Sequence, residues 1–193
     1  REPLVASEGV QVDLDTLGRD ERLALLINAY NAFTLRLILD HHPLDSIRDI
    51  PADQRWDGRT WTLGGRALTL TQLENDEVRP KFSEPRAHFA LNCASLGCPP
   101  LRREAYVGAR LDAQLEDQAR QVHADPRWFR YDPGSSSVPL TRLYDWYGGD
   151  FAQVAGSPLE FAARYSAPLR DELAAGRRPE VSWLEYDWSL NAR

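Results

Sequence analysis

The stretch from Asp20 to Asp40, DERLALLINAYNAFTLRLILD, limits the fold more than any other part of the chain. Leu23, Leu26, Tyr30, Phe33 and Leu37 recur at helical spacing, and Leu25, Ile27 and Ile38 widen the apolar face. A helix that is apolar nearly all round must be covered on most sides, so the sequence predicts a central, buried helix. Pro43 ends it near His41-His42, because proline has no N–H to continue the ladder. No stretch approaches the ~20 consecutive apolar residues that a membrane span needs.

The elements around that helix are short. Thr60–Leu63 and Arg66–Leu70 alternate about Gly64-Gly65, the pattern of a β-hairpin with a tight glycine turn. Thr69 or Thr71 is placed to cap a short helix, Gln72–Arg79, which Pro80 closes. Ala87–Cys93 is a short apolar run whose length favours a buried strand, although Ser83 and Pro85 also suit a helix start. Gly97, Pro99 and Pro100 make Ser95–Arg103 a loop. Gly108–His123 reads as an amphipathic helix with Leu111, Leu115, Ala119 and Val122 on one side. Trp128–Tyr131 and Ser137–Leu140 flank a turn-rich segment and suggest a second hairpin, while Leu143–Tyr147 and Leu159–Leu173 look helical. The tail, VSWLEYDWSLN, is extended and aromatic, a strand or strap for the body. Helices and local hairpins without βαβ alternation give the α+β class, with a central buried helix, small antiparallel sheets and one domain over 1–193.

Composition narrows the partners. With 42% hydrophobic and 27% charged residues the chain is a folding one. A net charge of −6 disfavours nucleic acid, which needs a positive footprint. The sequence has no Met, the expectation for a processed piece whose signal or anchor would precede Arg1. Two cysteines allow one disulfide, two free thiols, or a reactive thiol with a neighbour.

Candidate chemistry centres on HFALNCASLGCPPL. Cys93 ends an apolar run and precedes small residues, Ala94 and Ser95, where Gly97 and the prolines force a turn. A thiol beside free backbone N–H groups suits a nucleophile, because such donors stabilise thiolate and oxyanion alike. The alternatives are a buried structural cysteine or a short-loop disulfide with Cys98. A thiol nucleophile needs a base and the base an orienting acceptor. His41, His42 and His123 fall at helix ends, which leaves His88, with Glu74 as acceptor. A straight strand would hold His88 and Cys93 roughly 16 Å apart on opposite faces, so contact requires a bend near Asn92. Asn28 and Asn31 project from neighbouring turns of the long helix; they either lock core backbone or line a cleft and orient a carbonyl. His88, Cys93 and Cys98 lack the close cysteine pairs of common zinc sites, and no motif calls for a metal or cofactor.

The runs LLINAYNAFTLRLILDHHPLDSIRDI, LTLTQLENDEVRP, EPRAHFALNCASLGCPPLRREAY, LDAQLEDQAR and YDWSLN resemble domain of unknown function 547, from about Val12 to Asn191. The resemblance implies a similarity to papain-like and transglutaminase-like thiol enzymes, with the elements in permuted order. It implies a Cys93–His88–Glu74 triad and carries the paired helix amides onto Asn28 and Asn31. One departure is Asn75, where many members have a His. The resemblance also implies a periplasmic or secreted location. The expectation is therefore a thiol hydrolase or acyltransferase for an amide, thioester or isopeptide-like bond. Cys93 would attack, His88 would move the proton, and backbone N–H groups with Asn28, Asn31 or Ser95 would hold the oxyanion. The alternative is a non-catalytic module that binds a peptide or small thiol in the same cleft.

Overall fold

A computed structural model describes residues 12–191. Helix α1, Arg19–His41, runs through it with Leu23, Leu26, Ile27 and Leu37 fully buried. Burying each of these side chains contributes roughly 1.5–3 kcal/mol. Asp20 and Glu21 lie in its first turn and His41 in its last, each matched to the sign of the helix dipole. His42 turns extended ahead of Pro43, which stops the helix where the sequence predicts. The cover is less complete than expected: Leu35 is 47% and Leu39 71% exposed, so one stripe faces outward. By length and composition α1 is also apolar enough to cross a membrane, and 56% of that window is buried in the fold.

The hairpin forms as read. β1, Thr60–Leu63, pairs antiparallel with β2, Arg66–Thr69, across Gly64 (φ 57°) and Gly65 (φ 74°). Two successive positive φ values make the primed turn that suits the twist of a hairpin and that glycine adopts without strain. Thr69 then caps α2, Leu70–Gln72, exchanging bonds with Gln72. The chain continues as a π-helical segment, Leu73–Val78, and α3, Arg79–Phe82. Pro80 therefore does not end the helical run. It lies in the first turn of α3, where a missing N–H is tolerated.

Ala87–Cys93 is not a strand. Pro85–Phe89 winds as a short 3-10 helix, capped by Glu84 on the Arg86 N–H, and the chain then turns. Helix α4, Leu111–Ala124, buries Leu111, Leu115, Ala119 and Val122 as predicted. The second hairpin is reduced to a short antiparallel contact, with Arg130 N–H on the Pro139 carbonyl (3.0 Å) and Thr141 N–H on the Trp128 carbonyl (2.7 Å). β3, Ser137–Leu140, has a single antiparallel bridge from Phe129 and pairs in parallel with β4, Glu180–Trp183, from the tail. Parallel strands need a long crossover, here α5 (Leu143–Trp146), α6 (Gly148–Ala155), α7 (Pro158–Ala163) and α8 (Ala167–Ala174). The predicted helix Leu159–Leu173 is broken in two where Ser166 caps α8 and Pro168 enters its first turn. The class is α+β, with two cores. One surrounds α1; the other is aromatic, built on Phe89, Tyr144, Phe151 and Phe161.

Candidate active site

A cleft of about 270 Å³ receives Glu74 from the π-helical segment, His88 from the 3-10 helix and Cys93 from the turn beyond it. Trp56, Trp146, Tyr147, Tyr186 and Trp188 supply its aromatic wall. The three residues of the predicted triad thus face one space, although the bonds between them differ from those expected. The turn after Phe89 brings them to one cleft, and asparagines hold it. Asn92 accepts from the Ala94 N–H (2.8 Å) and donates to the Pro99 carbonyl (2.8 Å). Such local side-chain bonds compete with a sheet ladder, so the apolar run bends where a strand pattern would continue. Ala94 adopts φ 61°, a left-handed conformation uncommon for alanine, directly after the thiol.

The tail closes the site from the other side. Leu96 N–H bonds the Ser189 carbonyl, Gly97 N–H the Asp187 carbonyl, and Asn191 N–H the Ala94 carbonyl (2.8, 2.8 and 3.0 Å). The opposite edge of this strap is fixed by Leu190 N–H to the Asp45 carbonyl and by the Ser46 hydroxyl to the Trp188 carbonyl. A side chain at Gly97 would strike the Tyr186 ring at 2.9 Å, so the close approach requires glycine there.

Cys93 and Cys98 are free thiols with sulfurs 3.1 Å apart, well beyond a disulfide bond. The Cys93 sulfur also meets Tyr186 Oη (3.0 Å) and Ser95 Oγ (3.1 Å), and those two oxygens are 3.1 Å from each other. The Cys98 S–H holds the Cys93 thiol below its ordinary value; burial opposes this, and the Ser95 and Tyr186 hydroxyls reinforce it. Cys98 is pushed up in turn by its bond to Cys93 and by burial. Tyr186 is pushed up by burial and by the two sulfurs.

His88 is not hydrogen-bonded to Cys93. Its Nε2 bonds Asp150 Oδ2 at 2.8 Å, and its ring stacks on Tyr147 at 3.8 Å. A carboxylate only accepts, so Nε2 carries a proton and, of the two ring nitrogens, Nδ1 is the one that can hold a free lone pair. Nδ1 is buried without a hydrogen-bond partner, 3.7 Å from Glu74 Oε1. That distance is outside hydrogen-bond range, so the orienting acceptor is Asp150 and not Glu74. Arg79 grips the same carboxylate through Nε (2.7 Å) and Nη2 (3.1 Å), and reaches Asn75 Oδ1 at 2.8 Å. His88 first and Arg79 next hold the Asp150 carboxyl well below its usual range. Asn75, where the resemblance leads one to expect a His, lines the cleft beside Glu74.

Asn28 and Asn31 do not line the cleft. Asn28 clamps the backbone of Tyr106, donating to its carbonyl (2.8 Å) and accepting from its N–H (2.9 Å). Asn31 donates to the Ala90 carbonyl (3.0 Å) and accepts from the Asn92 N–H (2.8 Å), so it supports the turn that carries Cys93. Most of the backbone N–H groups expected to form an oxyanion hole are also spent. Those of Cys93, Ala94, Leu96, Gly97 and Cys98 bond Cys98 Sγ, Asn92 Oδ1, Ser189 O, Asp187 O and Ser95 O, and Ser95 N–H is directed at the Cys93 sulfur. The polar donors at the sulfur are therefore the Ser95 N–H and the hydroxyls of Ser95, which the sequence singled out, and Tyr186, which it did not. Among the described residues no group of three or more His, Cys, Asp or Glu is placed to hold a metal ion.

The family described as "Protein of unknown function, DUF547" matches residues 14–121. The chain belongs to the DUF547 family. The matched stretch contains Glu74, His88, Cys93 and Cys98, whereas Asp150 and Tyr186 lie beyond it. No curated protein and no solved structure matches the chain, and the expected likeness to papain-like and transglutaminase-like enzymes finds no support there. What joins the DUF547 stretch to the rest of the chain is chemical: its His is held by α6, and its Cys is covered by the strap.

Proposed function

We propose that this protein is a thiol-dependent hydrolase or acyltransferase that attacks an amide, thioester or isopeptide-like carbonyl. The observation that carries the reading is one cleft shared by Cys93, His88 and Glu74, with the buried His88 ring oriented by the half-buried Asp150 carboxylate on Nε2. Cys93 adds to the carbonyl as thiolate, the state its hydrogen bonds favour. The Ser95 and Tyr186 hydroxyls are the donors closest to the reacting sulfur and serve the developing oxyanion. His88 takes the Cys93 thiol proton at Nδ1 as the thiolate forms and gives it to the leaving group, while Asp150 steadies the imidazolium. Water or an acceptor amine then takes the acyl group from sulfur.

Reaction with a panel of aryl esters and thioesters, followed by product release and intact mass, tests this. The expected result is one acyl adduct on Cys93 that turns over in wild type and is absent in Cys93→Ala. Full turnover by Cys93→Ala would overturn the reading. The second reading, a binding module for a peptide or small thiol, is favoured by a specific feature: the hydrogen-bond partners of Cys93 are Cys98, Ser95 and Tyr186, and not His88. It predicts ligand-induced change in Trp146 or Trp188 fluorescence with no acyl adduct from any ester.

A further inference from the structure

The pairing of the two thiols goes beyond what acyl transfer requires. An acyl-transfer nucleophile needs one sulfur, yet a second lies 3.1 Å behind it. Both cysteines border the cleft, but Cys93 is half-buried and Cys98 is only 4% exposed, so a reagent in the cleft meets Cys93 first. Two hydroxyls, Ser95 Oγ and Tyr186 Oη, touch the Cys93 sulfur from other directions and lie within hydrogen-bond distance of each other. The turn between the cysteines is already closed by Cys98 N–H to the Ser95 carbonyl and by Cys93 N–H to Cys98 Sγ. An attacking sulfur, a resolving sulfur in contact with it and proton donors at the point of attack form a dithiol redox centre.

We propose that Cys93 and Cys98 reduce small organic hydroperoxides that enter the aromatic cleft, with an external dithiol as the electron source. The Cys93 thiolate attacks the terminal oxygen; the S–O bond forms, the O–O bond breaks, and the departing alkoxide takes a proton from the Ser95–Tyr186 pair, which water replaces. The products are an alcohol and the Cys93 sulfenic acid, the sulfur having given up two electrons. Cys98 then attacks that sulfur and releases water, leaving a Cys93–Cys98 disulfide. A dithiol reduces the disulfide by two exchange steps and leaves as its own cyclic disulfide. The sum is one hydroperoxide and one dithiol converted to alcohol, water and disulfide. While oxidised, Cys93 has no thiol to offer a carbonyl, so this activity and acyl transfer exclude each other in time.

The test begins with fully reduced protein and cumene hydroperoxide at pH 7, quenched with an alkylating agent and read by intact mass and peptide mapping. Both thiols should be lost together, in monomeric protein, with a Cys93–Cys98 peptide link. The loss should be roughly ten-fold or more faster than for free cysteine, since an ordinary thiol is only a few per cent thiolate at that pH. Dithiothreitol should restore both thiols and sustain peroxide consumption. In Cys98→Ser, dimedone should trap a sulfenic acid on Cys93. Two alkylatable thiols after peroxide, or loss only through links between chains, would overturn the proposal. So would oxidation of Cys98 in Cys93→Ser as fast as in wild type. Acyl transfer is judged separately, on reduced wild type with esters and no peroxide, so either activity can fail while the other stands.

Discussion

Two buried histidines border the aromatic core, and their surroundings differ in kind. His123 ends α4 with Nδ1 on the Ala119 carbonyl (2.7 Å) and Nε2 on the Tyr144 hydroxyl (2.7 Å), and it stacks on Tyr165 at 4.4 Å. His88 is equally buried and stacks on Tyr147, but one nitrogen bonds a carboxylate and the other has no hydrogen-bond partner. Burial and stacking therefore do not separate the histidine of the proposed site from a structural one. The partners do. A neutral ring satisfied at both nitrogens by uncharged groups is committed to the fold. A ring that gives one N–H to a carboxylate and leaves its other nitrogen without a partner has the geometry that the proposed acid–base role requires.

The largest effect expected from this contrast is on rate. His88→Gln should slow ester turnover by about 10²–10⁴-fold, the usual range for losing a general acid–base group, while His123→Gln should leave the rate of the folded protein within a few-fold of wild type. Asp150→Asn, which keeps an acceptor for Nε2 but removes the charge, should fall between them. Equal rate losses in His88→Gln and His123→Gln would break the comparison.

Next comes stability against pH. Burial holds His123 at about 4, against an ordinary value of 6.5. Between those values the unfolded chain binds a proton that the folded chain does not, so its contribution is complete above about pH 6.5 and is lost as the pH falls toward 4. The full loss is on the order of 3 kcal/mol. Urea midpoints from pH 7.5 to 4 should fall more steeply for wild type than for His123→Leu, which has nothing to titrate there. Parallel curves would show that His123 is not held neutral.

The same two histidines show how far the sequence could be read. Helix α1, the glycine hairpin and α4 were legible because period, cap and turn chemistry are local signals. His88, Cys93 and Glu74 were legible as candidates through residue type and resemblance. Their bonds were not. Asp150 lies in the first turn of α6, a helix that opens on Gly148-Gly149, and glycine is a poor helix former. The signal available was an acid ahead of Phe151 and Val154, three apart, as in a helix start. Phe151 is fully buried, and that tertiary burial outweighs the roughly 1 kcal/mol propensity cost of each glycine. Tyr186 touches a sulfur 93 positions away, and no local pattern specifies such a contact. The Ala87–Cys93 run misled for a related reason: its length fits a strand, while Asn31 and Asn92 bend it from outside the apolar pattern.

The smallest effect sharpens the comparison most directly, because it changes a single oxygen. The Ala119 carbonyl only accepts, so His123 Nδ1 carries the proton and Nε2 receives the Tyr144 hydroxyl. Tyr144→Phe keeps the ring that packs on Phe151 and Phe161 and leaves one buried lone pair without a donor. An acceptor stranded in this way costs about 1–2 kcal/mol, read as a lower urea midpoint at unchanged slope. Ester turnover by the folded variant should not change, since Tyr144 has no part in the cleft. If Tyr144→Phe slowed turnover as Asp150→Asn does, the two histidines would be coupled through Phe89 and Phe151, and the division into a structural and a working ring would fail.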